Sequence, residues 1–168
     1  HARLVRANTV RIAGPTEESV VADGIVLATG SRHLEVPIPG LDDPGILTSH
    51  SILELEALPP SLCIIGSGAI GTEFASLMNA VGVQVTLVEM LPRIAPLMDE
   101  TISDMLARSL RRKGVEIRTA TRVTAVERIE SGYRVSMASD QGEAQIEVSA
   151  VLSAIGRAPN TEGIGLET

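Results

Sequence analysis

A glycine-rich turn between two contrasting sequence patterns constrains this chain more than any other feature. The turn, G-x-G-x-x-G at 66–71, follows a short apolar run at 62–65 and opens a segment, 69–81, whose apolar residues recur at helical spacing. A second apolar run at 83–88 then ends at an acidic residue, Glu89. The order of strand, glycine-rich turn, helix, strand and acid predicts a βαβ unit that binds a dinucleotide.

The residue types at this turn suit a pyrophosphate and a ribose. Gly66 allows the tight turn out of the strand, Gly68 lets the backbone approach the phosphates, and Gly71 lets the helix pack closely on the sheet. N–H groups of the first helical turn bind phosphate. Glu89 is expected to accept hydrogen bonds from ribose hydroxyls and to repel a 2′-phosphate, which favours NAD over NADP. The nearby Arg93 slightly weakens this preference. The alternative interpretation is a glycine-rich turn without a ligand.

Composition and charge narrow the classes of partner. A formal net charge of -7 argues against nucleic acid or an anionic membrane surface. No apolar stretch reaches the roughly 18 residues of a membrane span, and no secretory signal is visible, so a cytoplasmic location is expected. Cys63 is the only cysteine, and His1, His33 and His50 have no carboxylate or cysteine at ligand spacing. Neither an intrachain disulfide nor a metal site is therefore expected.

The remaining patterns predict an α/β fold in which a Rossmann-like parallel sheet with helices is joined to a three-stranded antiparallel β-meander. Alternation of period two predicts the meander at 122–129, 133–138 and 144–148. A hairpin is predicted at 3–13. The residues expected to form the apolar face of the first helix are Ile70, Phe74, Leu77 and Met78. Those expected in the second helix, which Asp99 caps, are Ile102, Met105, Leu106 and Leu110.

Two segments of the chain resemble each other. Residues 24–30 and 150–156 each follow hairpin-like sequence, read as a buried strand and end at a glycine. The second copy closes the unit that begins with the glycine-rich turn, whereas the first has no such turn before it. This similarity predicts two nested dinucleotide-binding folds. The alternative is that any two buried strands look alike.

Three segments together resemble the pyridine nucleotide–disulfide oxidoreductases, a family of flavoproteins. They are Ala-Thr-Gly-Ser at 28–31 with Pro-Gly at 39–40 after it, the glycine-rich segment 66–73, and Ala-Ile-Gly-Arg-Ala-Pro-Asn at 154–160. Within the family, residues 66–75 and 88–93 are most similar to lipoamide dehydrogenases. Ala69 stands where glutathione reductases usually carry a tyrosine, which disfavours that branch.

The resemblance implies a division of the chain and a set of cofactor contacts. Residues 1–36 would be a stub of the FAD-binding domain, 37–155 the NAD-binding domain, and 156–168 a segment returning toward the FAD domain. Val123 would border the adenine, and Gly156 would pass close to the nicotinamide half. The residues implied to touch FAD are Thr29, Gly30 and Ser31. The residues implied to bind NAD are Gly66, Ser67, Gly68, Ala69, Ile70, Gly71, Glu73 and Glu89, with Glu73 near the contact between nicotinamide and flavin.

In that family a hydride passes between NAD(H) and FAD, and the flavin exchanges electrons with a cysteine pair. The chain lacks the family's FAD fingerprint, its Cys-x-x-x-x-Cys and its dimerisation domain. The resemblance therefore implies part of a homodimeric flavoenzyme, with no catalytic residue of its own and no complete redox reaction. Two alternatives stay open: another member of the family, such as an NADH oxidase or mercuric reductase, or a non-catalytic module that senses NAD.

Overall fold

A computed structural model describes residues 1–167, which form two units. The smaller unit joins His1–Arg32 to the chain from Arg157 onward, and the larger unit spans His33–Gly156. The strands, in chain order, are β1 (Ala2–Arg6), β2 (Thr9–Ile12), β3 (Glu18–Val21), β4 (Ser31–His33), β5 (Ser61–Ile65), β6 (Gln84–Val88), β7 (Glu116–Arg118), β8 (Thr121–Ile129), β9 (Gly132–Ser139), β10 (Gly142–Val148), β11 (Ala150–Ser153) and β12 (Arg157–Pro159). The helices are a 3₁₀ helix (Ser51–Glu54), α1 (Ala69–Ala80) and α2 (Glu100–Arg112).

The smaller unit contains an antiparallel sheet in the order β1-β2-β3. Its first two strands form the predicted hairpin, with Leu4 opposite Val10. The strand β4, which ends at the boundary of the unit, pairs with β12. The pairing of β4 with β12 holds the two separate chain segments of this unit together.

The prediction that residues 24–30 form a buried strand is wrong. The strand β3 ends at Val21, residues 24–30 have no regular structure, and the side chains of Val26 and Leu27 are 91% and 47% exposed. A buried strand needs neighbours for its backbone N–H and C=O groups. No strand in the described part of the chain pairs with 24–30, so the sequence similarity between 24–30 and 150–156 is not matched by similar structure.

The larger unit is built on a four-stranded parallel sheet in the order β11-β5-β6-β7. Strand residues alternate between the two faces of the sheet. Leu62 and Ile64 of β5 therefore pack into one apolar cluster, with residues of α1 and α2, while Cys63 and Ile65 pack into a second one, with residues of the meander. Because both faces are covered, the central strands read as continuous apolar runs rather than as alternating ones.

The meander β8-β9-β10 covers the second face of the sheet, as the period-two pattern predicts. A network of hydrogen bonds attaches the segment before the sheet to it: Arg128 Nε donates to Asp43 Oδ2 at 3.0 Å, and the Tyr133 hydroxyl donates to Asp43 Oδ1 at 3.0 Å. The mixed α/β fold, with a parallel sheet and an antiparallel meander, agrees with the predicted fold class. No helix among residues 1–167 is long and apolar enough to cross a bilayer.

The helix α1 faces the sheet with smaller residues than the sequence suggests. Its buried residues are Gly71, Thr72, Ala75 and Met78, whereas Leu77, predicted to be in the core, is 48% exposed. Small side chains allow the helix backbone to lie close to the sheet. Thr72 tolerates burial because its hydroxyl donates to the carbonyl oxygens of Gly68 and Ala69, at 2.9 and 3.0 Å.

The helix α2 is capped as predicted but is buried on a narrower face. Asp99 Oδ1 accepts a hydrogen bond from the Thr101 N–H at 2.9 Å, and Leu110 is fully buried. Ile102 and Met105, predicted to be in the core, are 53% and 56% exposed. The reason is that the neighbouring strand β7 is a three-residue edge strand, which covers little of the helix.

Candidate functional site

The candidate site lies at the carboxyl ends of β5 and β6, where the glycine-rich turn meets Glu89. Gly66 follows β5 with a φ of +96°, and its N–H donates to the Val88 carbonyl at 2.9 Å. A Cβ at this position would lie 2.6 Å from the Ala154 carbonyl oxygen. Positive φ and close backbone contact both require glycine here. The turn therefore leads the chain directly from the strand into α1.

The N-terminus of α1 presents backbone N–H groups that no side chain caps. Gly68 is the N-cap residue, no side-chain hydrogen bond caps the helix, and its first turn contains no acidic residue. The Thr72 N–H donates to the Gly68 carbonyl at 3.0 Å. The four N–H groups of 68–71 precede this bond and have no partner within an α-helix. Together with the positive end of the helix dipole they suit an anion.

Two glycines of the turn face different surroundings. A Cβ built on Gly68 meets no atom within 4 Å, so the space in front of this residue is open. A Cβ on Gly71 would overlap the carbonyl group of Gly66. Gly68 is thus required only if something else occupies the open space, whereas Gly71 is required by the packing of the chain itself.

The carboxylate of Glu89 is buried and held by the glycine-rich turn. The residue is 6% exposed. Its Oε2 accepts hydrogen bonds from the Ser67 N–H at 2.9 Å and from the Ser67 hydroxyl at 2.6 Å, and its Oε1 accepts one from the Leu91 N–H at 2.9 Å. Hydrogen bonds from several donors offset the cost of burying a charged group. The motif predicts the acid, but it does not predict these three bonds.

The loop between β6 and α2 is attached to the same turn. The Ala95 N–H donates to the Ser67 carbonyl at 2.8 Å, and the buried Ser103 hydroxyl donates to the Ile94 carbonyl at 2.6 Å. Arg93, whose positive charge slightly weakens the expected preference for NAD, forms an ion pair with Glu100 at 3.1 Å. This pairing engages the arginine with a carboxylate of the chain itself.

The other residues predicted to contact NAD lie in different environments. Ala69 and Ile70 form the first turn of α1, and Glu73 is exposed on that helix. Val123 is 5% exposed, in the core between the sheet and the meander. The Gly156 carbonyl accepts a hydrogen bond from the Leu34 N–H at 2.9 Å. Their contacts with a dinucleotide stay predictions.

The residues predicted to contact FAD form a network in the smaller unit. The Thr29 hydroxyl donates to the Asn160 carbonyl at 2.6 Å, the Asn160 N–H donates to the Gly30 carbonyl at 3.0 Å, and Arg157 Nε donates to the Ser31 hydroxyl oxygen at 2.7 Å. The segments 28–31 and 154–160, which carry the family resemblance, thus meet through these bonds. No local pattern in the sequence identifies Arg157 and Asn160 as the partners of these residues.

A cavity of about 880 Å³ lies elsewhere in the larger unit. It is lined by residues of the segment 33–48 and by Ser153. None of the predicted cofactor-binding residues lines it. Among residues 1–167, no group of three or more His, Cys, Asp or Glu side chains is arranged to hold a metal ion.

Known proteins resemble this chain over its whole length. A dihydrolipoyl dehydrogenase from Chlamydia pneumoniae is 39% identical over 165 residues, which are 98% of this chain and 34% of that protein. A glutathione reductase from a Nostoc species is 36% identical over 166 residues, 99% of this chain and 35% of that protein. In a solved structure, the Cu(II) complex of the HOCl-induced flavoprotein disulfide reductase RclA from Escherichia coli matches with a TM-score of 0.79 and 33% identity, over 99% of this chain and 37% of that one.

The chain spans about a third of the length of these relatives. Relatives with two different names match at similar identity, so the branch within the family stays a prediction. The assignment to the family does not depend on the branch, because the family pattern of the pyridine nucleotide-disulphide oxidoreductases matches residues 1–168. The chain therefore belongs to the pyridine nucleotide-disulphide oxidoreductase family.

Proposed function

We propose that the larger unit is the NAD(H)-binding domain of a flavin-dependent disulfide oxidoreductase similar to dihydrolipoyl dehydrogenase. The observation that carries this proposal is the uncapped N-terminus of α1 beside the buried carboxylate of Glu89. An anion-binding helix end and a hydrogen-bond acceptor at the end of the next strand are the two groups that a dinucleotide needs. NAD(H), when bound, supplies or accepts a hydride.

The residues present fit this cofactor. The N–H groups of 68–71 would bind the pyrophosphate, and the open space at Gly68 gives the phosphates room to approach the backbone. The Glu89 carboxylate would accept a hydrogen bond from a ribose hydroxyl and disfavour a 2′-phosphate. The pairing of Arg93 with Glu100 supports the same preference, because it reduces the positive charge that would face a 2′-phosphate.

The proposal extends to FAD and to the protein as a whole. Homologous enzymes are about three times as long as this chain, and RclA is a flavoprotein. The exposure of Val26 and Leu27 supports a role for the smaller unit as part of a larger, flavin-binding domain that would cover them. The whole protein would be a homodimer located in the cytoplasm, and its disulfide substrate would be reduced through flavin and a cysteine pair outside this chain.

The NAD assignment is tested by titrating the chain with NADH and with NADPH, following the fluorescence of the reduced nicotinamide. We expect tighter binding of NADH by about tenfold or more, the equivalent of roughly 1.4 kcal/mol. Glu89→Gln removes the negative charge and is expected to narrow this difference. Glu143→Ala, an acidic residue exposed on β10, is the control and should leave it unchanged. Equal affinity for both coenzymes in the original chain would remove the role assigned to Glu89, and no binding of either would overturn the proposal.

A separate experiment tests whether the chain alone can complete the redox reaction. The chain is expected to leave NADH unoxidised when mixed with FAD and lipoamide, because its only cysteine, Cys63, is fully buried. Bound FAD in the purified chain, together with reduction of lipoamide by NADH faster than in the same mixture without the chain, would overturn this expectation.

The module that senses NAD is the second candidate. It needs only the larger unit, and nothing in its function calls for the Thr29–Asn160 network of the smaller one. Fusing the chain to the missing parts of a homologous flavoenzyme distinguishes the two: recovered NADH-dependent reduction of bound FAD favours the enzyme, and its absence in a folded, FAD-loaded fusion favours the sensor.

A further inference from the structure

Ser67 lies behind the candidate site rather than within it. The residue is 0% exposed, and all of its polar groups are bonded inside the chain. Its hydroxyl and its N–H both donate to Oε2 of Glu89, and its carbonyl accepts from the Ala95 N–H. The family resemblance implies that Ser67 binds NAD. Because both of its donors are used by Glu89 and the residue is fully buried, we expect no direct contact between Ser67 and a ligand in front of the turn. Any influence of this side chain on a ligand must act through Glu89.

The contacts of Glu89 limit what its carboxylate can still accept. A carboxylate has about four lone-pair positions, two on each oxygen. Ser67 uses both positions on Oε2, and the Leu91 N–H uses one on Oε1. One position, on Oε1, is left for a ligand. The carboxylate is also held from two sides, so that it has little freedom to turn away from that ligand.

We propose that Ser67 is a positioning residue that sets the coenzyme preference of the site. This inference rests on the proposed function, since it requires that a dinucleotide binds in front of Glu89. The Ser67 hydroxyl fixes Oε2, which leaves Oε1 directed at one ribose hydroxyl and keeps the negative charge where a 2′-phosphate would approach. Hydrogen bonds from a hydroxyl to a carboxylate are among the stronger ones in proteins, so the hydroxyl contributes more to this hold than a neutral pair would.

The experiment compares Ser67→Ala with the original chain by fluorescence titration with NADH and NADPH. Alanine keeps the backbone N–H bond to Oε2 but removes the hydroxyl. We expect the preference for NADH, measured as the ratio of the two dissociation constants, to fall by about fivefold to tenfold, as for the loss of one hydrogen bond to a charged group. Ser67→Gly is measured beside it as a second way of removing the hydroxyl.

A double-mutant cycle separates positioning from a general effect on the fold. If Ser67 acts through Glu89, Ser67→Ala changes the ratio in the original chain but not in a Glu89→Ala background. The control is Ser61→Ala, at the end of β5 opposite to the turn, where the Ser61 hydroxyl oxygen accepts a hydrogen bond from the Ser149 N–H at 2.9 Å. Its loss can lower the temperature of unfolding but should leave the ratio unchanged.

The outcomes distinguish this inference from the proposed function. If the original chain binds neither coenzyme, the proposed function fails. If it prefers NADH and the folded Ser67→Ala variant keeps the same ratio, only the role of Ser67 is overturned. An equal change in the Glu89→Ala background also overturns it. So does failure of both the Ala and Gly variants to fold, because the hydroxyl would then be a requirement of the fold.

Discussion

Replacing Gly68 by alanine separates binding by the glycine-rich turn from stability of the turn. Gly68 has φ −63° and ψ −168°, an extended conformation that any residue adopts, and its added Cβ would meet no atom within 4 Å. Alanine is a poorer N-cap than glycine by about 0.5–1 kcal/mol. It also reduces the freedom of the unfolded chain, which stabilises by about 0.4–1 kcal/mol. The two effects offset each other, so the free energy of unfolding should change by less than about 1 kcal/mol.

The affinity for NADH should respond differently. The new methyl group enters the open space in front of the N–H groups of 68–71, where the pyrophosphate is proposed to lie. Displacing one phosphate from these donors costs about 1.5–3 kcal/mol, the range for a hydrogen bond to a charged group. The dissociation constant for NADH should therefore rise by about tenfold or more. Fluorescence titration with NADH measures the affinity, and urea unfolding measures the stability.

Gly71→Ala is the matched comparison. Its Cβ would overlap the Gly66 carbonyl, so the helix must shift and the variant should lose about 1–3 kcal/mol of stability. Unchanged NADH affinity in a stable Gly68→Ala variant would refute the reasoning, since the open space at Gly68 would then have no part in binding.

Three further predictions concern the larger unit. Burial raises the pKa of the Cys63 thiol to about 12, so at pH 8 it should react with a thiol reagent only after unfolding; rapid reaction of the folded chain would contradict this. Hydrogen bonds from Arg128 lower the pKa of Asp43 below its ordinary value of 3.8, so this pairing stabilises the fold above about pH 4 and is lost on further acidification. Asp43→Asn should therefore lower the unfolding temperature most above pH 4, and an equal loss at pH 2 would refute the pairing. Leu87→Ala, at a fully buried position, should cost about 2–5 kcal/mol in urea unfolding, and a loss below 1 kcal/mol would argue against this core.

The sheet and its turn could be predicted because their signals are local. A run such as 62–65 is apolar at every position because both faces of its strand are covered. The glycines at 66 and 71 are needed because a Cβ at either position would overlap neighbouring backbone atoms. The meander was predicted for a similar reason. Its period of two follows from having one face on the sheet and one face outside.

The details of the candidate site depend on contacts that no local pattern contains. Ser67 occupies a variable position of the glycine-rich motif, and its bond to Glu89 links residues 22 apart. The Leu91 N–H carries no side-chain signal at all. Helical periodicity marked Leu77 as a core residue because it identifies apolar spacing but not the distance between helix and sheet. At close approach, Ala75 and Thr72 fill the interface instead.

The residues whose burial was wrongly predicted also bear on whether the chain functions as part of a longer protein. Val26 and Leu27 in one unit, and Ile102 and Met105 in the other, are apolar at positions that read as core and yet are exposed. Leaving such side chains in water is unfavourable, since full burial of one would contribute about 1.5–3 kcal/mol and a half-exposed one forgoes roughly half of that. The exposure of these four side chains, where the sequence pattern predicts burial, therefore supports the proposal that both units function within a longer protein. Additional surface of that protein would cover these side chains.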